Sequence, residues 1–331
     1  MTVTDHLDDG LRHARLGILS ATVAGDAGLA YELVRGLLAE GVSFESVLFD
    51  VIAPLQSEVG MRWQHGDFSI AEEHASTGAV ETVVSLLAGS LETSAEEGHV
   101  VVGCAEGDAH SLPARIVACH LAYLGRRATF LGAGLPADDL ASYLGDVQPE
   151  ALVLACSMTG HLPRARAAVR AAHRQGVPVL VGGRAFGSDG RRAEAIGADG
   201  WVPDARRTAA VLDGWAPDIA ASERGITETG VAEATSLEED RAAIIEAAVS
   251  SSPDSSAADL RAGLALLIEG VIASVLVADP AVVTEWTRWH HSLGREHVST
   301  RSLVSTLRAV LDPTSRAAAH LDEALGSLGS A

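Results

Sequence analysis

An aspartate and a histidine, Asp108 and His110, stand two residues apart in a short polar segment. Imidazole is a common ligand of transition metals, and a carboxylate that accepts its second N–H orients the ring and raises its basicity. A lone loop histidine is more often a solvated side chain, so the pair by itself is a weak signal. Further features along the chain strengthen the prediction that His110 is a metal ligand and Asp108 its orienting acid.

Small and hydroxyl-bearing residues come next along the chain. Ser157 and Thr159 follow one apolar run, Gly182 and Gly183 follow another, and residues 197–199 precede a third. In parallel sheets, ligands bind beyond the carboxyl ends of the strands. The positions of these residues therefore favour a binding site at such an edge.

Five short apolar runs position these residues, near 100–104, 128–131, 151–156, 177–181 and 200–202. Each run is continuous rather than alternating, which is typical of strands buried on both faces, and helical stretches lie between the runs. The pattern predicts a doubly wound parallel sheet within residues 97–215.

Helical periodicity dominates both flanking regions. Residues 1–94 predict a four-helix bundle, with apolar-periodic segments near 4–24, 26–40, 43–64 and 69–92. Residues 216–236 have little periodicity and predict a linker. Residues 237–331 predict an all-helical domain, with helices near 237–250, 257–277, 280–292, 300–311 and 313–327. The expected fold class is α/β plus all-α.

The composition excludes several functions. Among the 331 residues there are 24 arginines and no lysine, which rules out a Walker phosphate loop and lysine Schiff bases. The net charge of -20 argues against nucleic acid or a membrane surface as partner. The most apolar stretch, 263–278, is interrupted by Glu269 and is shorter than the ~20 residues of a membrane span. Because the acidic N-terminus lacks a signal-peptide pattern, we expect a cytoplasmic location.

The strand-end residues together resemble the cobalamin-binding domain shared by methionine synthase, the cobalamin mutases and light-sensing cobalamin regulators. The resemblance implies that His110 is the lower cobalt ligand and Asp108 its orienting partner. It implies that the pocket for the displaced benzimidazole tail is lined by Ser157, Thr159, Gly182 and Gly183. One departure is Pro113, which stands where the family motif ends in glycine. Because proline is tolerated in a first helical turn, we expect the loop to survive.

The preceding bundle resembles the helical cap of the light-sensing cobalamin regulators. By that resemblance Trp63 covers the upper face of the corrin, and Glu73 with His74 contacts the adenosyl group. A flat apolar ring suits that face, and a carboxylate can accept hydrogen bonds from ribose hydroxyls. The alternative is that Trp63 is only a core aromatic. After this tryptophan the regulators that repress carotenoid synthesis have a histidine, whereas this chain has Gln64, which puts a bis-histidine photoproduct in doubt.

The C-terminal region has one cluster of indoles and cations, formed by Trp286, Arg288, Trp289, His290, His291 and Arg295. Two interpretations are open: an amphipathic core helix with a polar outer face, or a pocket for a large flat anion. The order of domains resembles the photocobilins, which hold both adenosylcobalamin and a bilin. The resemblance implies biliverdin as second chromophore, bound non-covalently because no cysteine follows Cys156. All three cysteines lie in apolar segments and are expected to be reduced core thiols.

Three functions are compatible with the sequence. The first is a non-enzymatic light sensor, in which loss of adenosyl changes the packing of the domains and hence the assembly of a homo-oligomer. The second is a corrinoid carrier of a methyltransferase system, and the third is a silent interaction protein. A mutase is excluded because a barrel of ~250 residues does not fit in the remaining chain. The tryptophan lid favours the sensor, with an unidentified protein as effector, since no helix-turn-helix precedes the bundle.

Overall fold

A computed structural model describes residues 3–91, 97–217, 228–252, 256–294 and 298–328 of the chain. Along the chain it has a helical cap, a parallel sheet flanked by helices, and a second set of helices. The three groups pack on one another, and their contacts determine where the candidate site lies.

The cap is helical, as expected. Its elements are α1 (Val3–Val23), α2 (Ala27–Ala39), α3 (Phe44–Ser46), a π-helical segment (Val47–Ile52), α4 (Ala53–His65) and α5 (Ile70–Gly89). A capping box starts α5: Ser69 Oγ accepts the N–H of Glu72 at 3.2 Å, and Glu72 Oε2 accepts the N–H of Ser69 at 2.7 Å. The designation as a four-helix bundle stays a prediction.

The sequence predicts one helix over 43–64. The structure instead has α3, a π-helical segment and α4 in this part of the chain. Pro54 stands in the first turn of α4, directly after the π-helical segment. Proline has no backbone N–H and its ring crowds the carbonyl four residues earlier, so the regular hydrogen-bond ladder is interrupted there. A wider π turn accommodates the interruption.

The sheet confirms the predicted parallel α/β domain. Its order is β2-β1-β3-β4-β5, with every described pair parallel, for β1 (Glu97–Cys104), β2 (Arg126–Gly132), β3 (Ala151–Ala155), β4 (Val179–Gly182) and β5 (Gly200–Val202). The connecting helices are α6 (Ser111–Tyr123), α7 (Ala137–Val147), α8 (Leu162–Arg174) and α9 (Arg191–Ala195), and α10 (Thr208–Asp213) follows β5. The order reverses between β1 and β3, and crevices at such a reversal are the usual ligand sites of open α/β sheets.

Helix α6 belongs to two cores at once. Its residues Leu112, Ile116 and Cys119 are buried in the apolar core of the cap. Its residues Ala114 and Leu121 are buried against the sheet. The helix that starts immediately after His110 therefore attaches the cap to the sheet.

The C-terminal helices pack on the side of the sheet opposite α6. They are α11 (Glu228–Glu239), α12 (Arg241–Ser250), α13 (Ala257–Leu276), α14 (Ala281–Ser292), α15 (Thr300–Val310) and α16 (Arg316–Ser327). Helix α11 starts inside the segment 216–236 that the sequence predicts as a linker, of which 218–227 lie outside the described residues. Leu264 and Ile268 of α13 share one continuous core with Leu162 and Phe186 of the sheet domain.

None of the described helices is both long enough and apolar enough to cross a membrane.

The three cysteines are buried free thiols, as expected. Burial raises the pKa of Cys104 and of Cys119 to about 12, and raises that of Cys156 as well. All three are therefore protonated core residues at neutral pH.

Candidate functional site

Asp108 is the centre of a hydrogen-bond network where β1 and β3 end. Its side chain is only 1% exposed. Its Oδ1 accepts hydrogen bonds from Nδ1 of His110 at 2.7 Å and from the backbone N–H of His110 at 3.1 Å. Its Oδ2 accepts the backbone N–H of Ser157. The structure thus brings the predicted Asp108, His110 and Ser157 together across the crevice.

These hydrogen bonds decide the protonation of the pair. Burial alone would raise the pKa of Asp108, but the bonds from His110 and Ser157 outweigh it and hold the pKa below its usual value. The bond to Asp108 raises the pKa of His110, against the opposing effect of burial. A neutral His110 that donates from Nδ1 carries its lone pair on Nε2, and its side chain is 53% exposed. This arrangement can supply one nitrogen ligand to a metal.

The paired glycines after β4 allow two chain segments to meet. Gly183 has φ of +108°, and a Cβ at this position would overlap the backbone oxygen of Cys156. Gly182 accepts the N–H of Cys156 at 3.0 Å. Only glycine fits at position 183, because both the backbone conformation and the space exclude a side chain. Thr159 lies on the neighbouring segment, where it begins the 3-10 turn Thr159–His161.

The cap contributes its own polar group. Glu73 Oε1 accepts the hydroxyl of Thr77 at 2.8 Å, and Nδ1 of His74 lies 2.5 Å from Glu73 Oε2. Glu73 is a minor cause of the raised pKa of His110. Further along the same helix, Glu81 accepts the hydroxyl of Ser111, the residue after His110. Trp63 is half-buried against the apolar core of the cap. The helix that carries the predicted upper residue Glu73 therefore contacts the start of α6, directly after the predicted lower ligand His110.

Gln64 connects the cap to the C-terminal helices. Its Nε2 donates a hydrogen bond to Oγ of Ser292 in α14 at 2.6 Å. His65, the next residue, ends α4 and is exposed. The position at which the light regulators have a histidine is thus occupied here by a contact between domains.

Most of the predicted C-terminal cluster lies on α14. Trp286 is 8% exposed, and its ring stacks on His290 with centroids 4.7 Å apart. Nδ1 of His290 lies 2.9 Å from Oγ1 of Thr300. Arg288 and His291 are exposed, and Trp289 is half-buried. Arg295 lies outside the described residues. The burial of Trp286 agrees with the interpretation of α14 as an amphipathic core helix.

His161 is a site residue that the sequence interpretation missed. Its Nε2 and Cδ2 edge lies against Gly107, the residue before Asp108. Burial lowers the pKa of His161, so the ring is neutral at pH 7. Nδ1 of His161 is buried and has no hydrogen-bond partner among the described residues. The signal was present, because His161 follows Ser157 and Thr159 after the same strand.

Family comparisons agree with this geometry. Residues 98–212 match a family model described as B12 binding domain, and residues 16–88 match a second model with the same description. The HTH-type transcriptional repressor CarH of Myxococcus xanthus is 31% identical over 176 residues, which cover 52% of this chain and 58% of that protein. The chain therefore spans little more than half the length of this relative.

Two proteins from Methanosarcina species are also similar. Trimethylamine corrinoid protein 1 of Methanosarcina acetivorans is 26% identical over 182 residues, which cover 53% of this chain and 83% of that protein. The solved structure of the monomethylamine corrinoid protein of Methanosarcina barkeri superposes with a TM-score of 0.50 at 23% identity, over 59% of this chain and 94% of that one. This structure supports the fold of a helical cap followed by a parallel sheet.

The residues present fit a cobalamin. A cobalamin held here would need a nitrogen donor from the protein, and His110 with its orienting carboxylate would be such a donor. The close approach at Gly183 brings two chain segments together beside the strand reversal, where open α/β sheets bind ligands. The chain therefore carries B12-binding domains, a helical one over residues 16–88 and a Rossmann-like one over residues 98–212.

Proposed function

We propose that this chain is a light sensor, not an enzyme, that holds adenosylcobalamin between its helical cap and its sheet domain. One observation carries the proposal: Ser111, the residue after His110, donates its hydroxyl to Glu81 on the cap helix that also carries Glu73, so the elements that hold the residues suited to both faces of a corrin meet at one interface. Similarity to the repressor CarH supports the same function.

On the lower face, His110 would hold the cobalt through Nε2 while Asp108 keeps the ring in place. Ser157, Thr159 and the paired glycines would line the channel for the benzimidazole tail. When bound, adenosylcobalamin would supply a cobalt–carbon bond that visible light can break. The remaining steps belong to the protein, which binds, orients and shields the cofactor.

On the upper face, Trp63 would shield the adenosyl group from water. Glu73 would accept hydrogen bonds from ribose hydroxyls, with His74 fixed beside it. A carrier must admit a methyl donor to this face, whereas a tryptophan lid suits an adenosyl group that stays bound. The cap residues thus favour the sensor over the carrier.

The output of the sensor would be a change in assembly. Cap and sheet are joined by polar contacts, among them Ser111 with Glu81, and Arg115 Nη1 with Ser85 Oγ at 2.9 Å. Emptying the space under the cap would rearrange these contacts, because packed interfaces switch between discrete arrangements. We propose a homo-oligomer whose state depends on light and whose effector is a protein.

An absorption experiment tests this function. The purified chain is reconstituted with adenosylcobalamin in the dark, freed of excess cofactor by gel filtration, and scanned before and after green light. A retained adenosylcobalamin spectrum that converts on illumination supports the sensor. A chain that retains no cobalamin, or whose spectrum changes no faster than that of the free cofactor in matched buffer, contradicts it.

The second candidate is a corrinoid carrier of a methyltransferase system. Similarity to a trimethylamine corrinoid protein over 83% of that protein's length favours it. A carrier would bind hydroxocobalamin and adenosylcobalamin with similar affinity, and light would leave its mass unchanged. Parallel titrations with the two cofactors distinguish the candidates.

We also propose biliverdin as a second chromophore, on the basis of the photocobilin resemblance alone. Trp289, Arg288 and His291 remain candidate contacts, whereas Trp286 would have to leave the core to stack on a tetrapyrrole. Biliverdin added to the chain should give a red-shifted band that survives gel filtration and disappears on denaturation. Absence of that band removes the bilin and leaves the cobalamin proposal standing.

A further inference from the structure

Helix α13 of the C-terminal region places Glu269 beside the turn Thr159–His161 of the candidate site. Glu269, the residue that interrupts the most apolar stretch of the sequence, is 20% exposed. Its Cβ is 3.2 Å from the point that a Cβ on Gly160 would occupy. Oε1 of Glu269 accepts a hydrogen bond from Nη2 of Arg241 at 2.8 Å and lies 3.9 Å from Nη2 of Arg164. Glycine at position 160 therefore lets the helix lie directly on the turn Thr159–His161.

That turn supports the loop of the predicted cobalt ligand. A Cβ on Gly107 would lie 3.5 Å from Nε2 of His161 and 3.6 Å from Cδ of Arg164. The next residue along the chain is Asp108, which holds His110. A continuous series of contacts thus runs from Glu269 through His161 and Arg164 to the Asp108–His110 pair.

A second contact reaches the paired glycines. Arg192 of α9 has a side chain 5% exposed, and it donates to Asp279 Oδ2 at 2.7 Å and to Glu285 Oε1 at 2.8 Å, both from the C-terminal region. Its Nη1 also donates to the backbone oxygen of Ala185 at 3.2 Å. The N–H of Ala185 donates to the oxygen of Cys156, the atom that excludes a side chain at Gly183. The C-terminal helices therefore also hold the turn that follows Gly183.

We propose that Glu269 and Arg192 are positioning residues through which the C-terminal helices hold both loops of the cobalamin site in their binding conformation. Docking of these helices and binding of cobalamin then stabilise one another, because coupling between two sites is reciprocal. This inference rests on the proposed cobalamin binding and concerns its regulation. Any change that loosens the packing of the C-terminal helices should lower the affinity for cobalamin.

The first test measures dissociation constants for adenosylcobalamin in the dark, using the full chain. Glu269→Ala and Arg192→Ala should each weaken binding by about 5- to 150-fold, the usual range of coupling between sites. Glu269→Ala should also raise the fraction of base-off cobalamin in the absorption spectrum, since His110 is held less firmly. The matched control is Glu246→Ala, which removes a surface ion pair with Arg261 inside the C-terminal helices and should leave both readouts unchanged.

A conservative variant covers the case in which an alanine variant does not fold. Glu269→Gln keeps the length of the side chain and one acceptor oxygen for Arg241 but loses the charge that faces Arg241 and Arg164, so its dissociation constant should lie between those of wild type and Glu269→Ala. Hydrogen exchange supplies the reciprocal readout: adenosylcobalamin should slow exchange in Ala257–Leu276 of the wild-type chain. It should not slow exchange there in Glu269→Ala.

The possible results distinguish failure of this inference from failure of the proposed function. If wild type retains adenosylcobalamin and both Glu269 variants bind it with the wild-type constant and spectrum, the inference is overturned and the proposed function stands. The inference is also overturned if Glu246→Ala weakens binding as much as Glu269→Ala does. If wild type retains no cobalamin, the proposed function fails and the inference fails with it.

Discussion

Nδ1 of His110 lies 2.7 Å from Oδ1 of Asp108, and the other oxygen of the same carboxylate accepts the N–H of Ser157. One buried acid thus fixes the ring of the candidate ligand and joins the ends of two neighbouring strands. The geometry of the lower cobalt ligand therefore depends on strand pairing as well as on the local loop.

Replacing His110 should remove the axial nitrogen from cobalt. In His110→Ala, adenosylcobalamin should be lost on gel filtration or be retained in a base-off form, and the absorption spectrum of the reconstituted chain measures this. His99→Ala is the matched control, because His99 lies at the sheet and hydrogen-bonds Thr129. A base-on spectrum in His110→Ala equal to that of wild type would refute the assignment.

Asp108→Asn should weaken cobalamin binding without abolishing it. An amide keeps the size of the side chain, but it has one acceptor oxygen where the carboxylate serves both His110 and Ser157. Loss of such an orienting partner typically costs about 10- to 100-fold in metal affinity. Titration of the variant with adenosylcobalamin in the dark gives the number, and an unchanged dissociation constant would speak against the orienting role.

Trp63→Ala should reduce the preference for adenosylcobalamin over hydroxocobalamin. An indole that packs on the adenosyl group contributes about 0.5–1.5 kcal/mol beyond simple burial, and that contribution is absent for the hydroxo form. The ratio of the two dissociation constants is the measurement. If the ratio stays at its wild-type value, Trp63 is only a core residue of the cap.

Light should change the mass or the radius of the reconstituted protein. The reason is that departure of the adenosyl group leaves a space between two packed domains. Multi-angle light scattering of the dark and illuminated samples measures the change, with hydroxocobalamin-loaded protein as the light-insensitive control. Identical masses and radii would leave a carrier or a purely local sensor.

Burial of His120 should lower the free energy of unfolding as the pH falls below neutral. It is 2% exposed at the interface of cap and sheet, with Nε2 3.6 Å from Oε2 of Glu45. Burial lowers its pKa, Arg206 adds to this effect, and Glu45 opposes it. The unfolded chain, with a histidine pKa near ~6.5, therefore binds a proton that the folded chain lacks, and stability falls as the pH drops through ~6.5 toward the lower folded value.

The measurement is urea unfolding at several pH values between 7.5 and 5.5. One such proton contributes at most about 1.4 kcal/mol per pH unit, so His120→Gln should flatten the pH dependence by up to that slope. His65→Gln makes the same substitution at an exposed position of the cap and serves as the control. Equal slopes in wild type and His120→Gln would show that this histidine does not contribute.

The local elements and the Asp108–His110 pair could be predicted from the amino-acid sequence. Continuous apolar runs predicted the five strands because a strand buried on both faces cannot alternate with polar residues. Asp108 and His110 are two residues apart, so their hydrogen bond follows from the loop they share. The capping box at Ser69 and Glu72 is likewise a contact within one turn.

Contacts between distant residues at the site depend on how the helices pack on the sheet. The periodicity of α14 is the same for a core helix and for the wall of a pocket, so it could not predict that Trp286 is buried and stacked on His290. Likewise, Glu269 appeared only as an interruption of an apolar stretch, and its contact with Gly160 depends on how α13 lies on the sheet domain. Burial of apolar surface is non-directional, so it requires only that α13 be covered. The shapes of the packed layers determine which loop Glu269 meets.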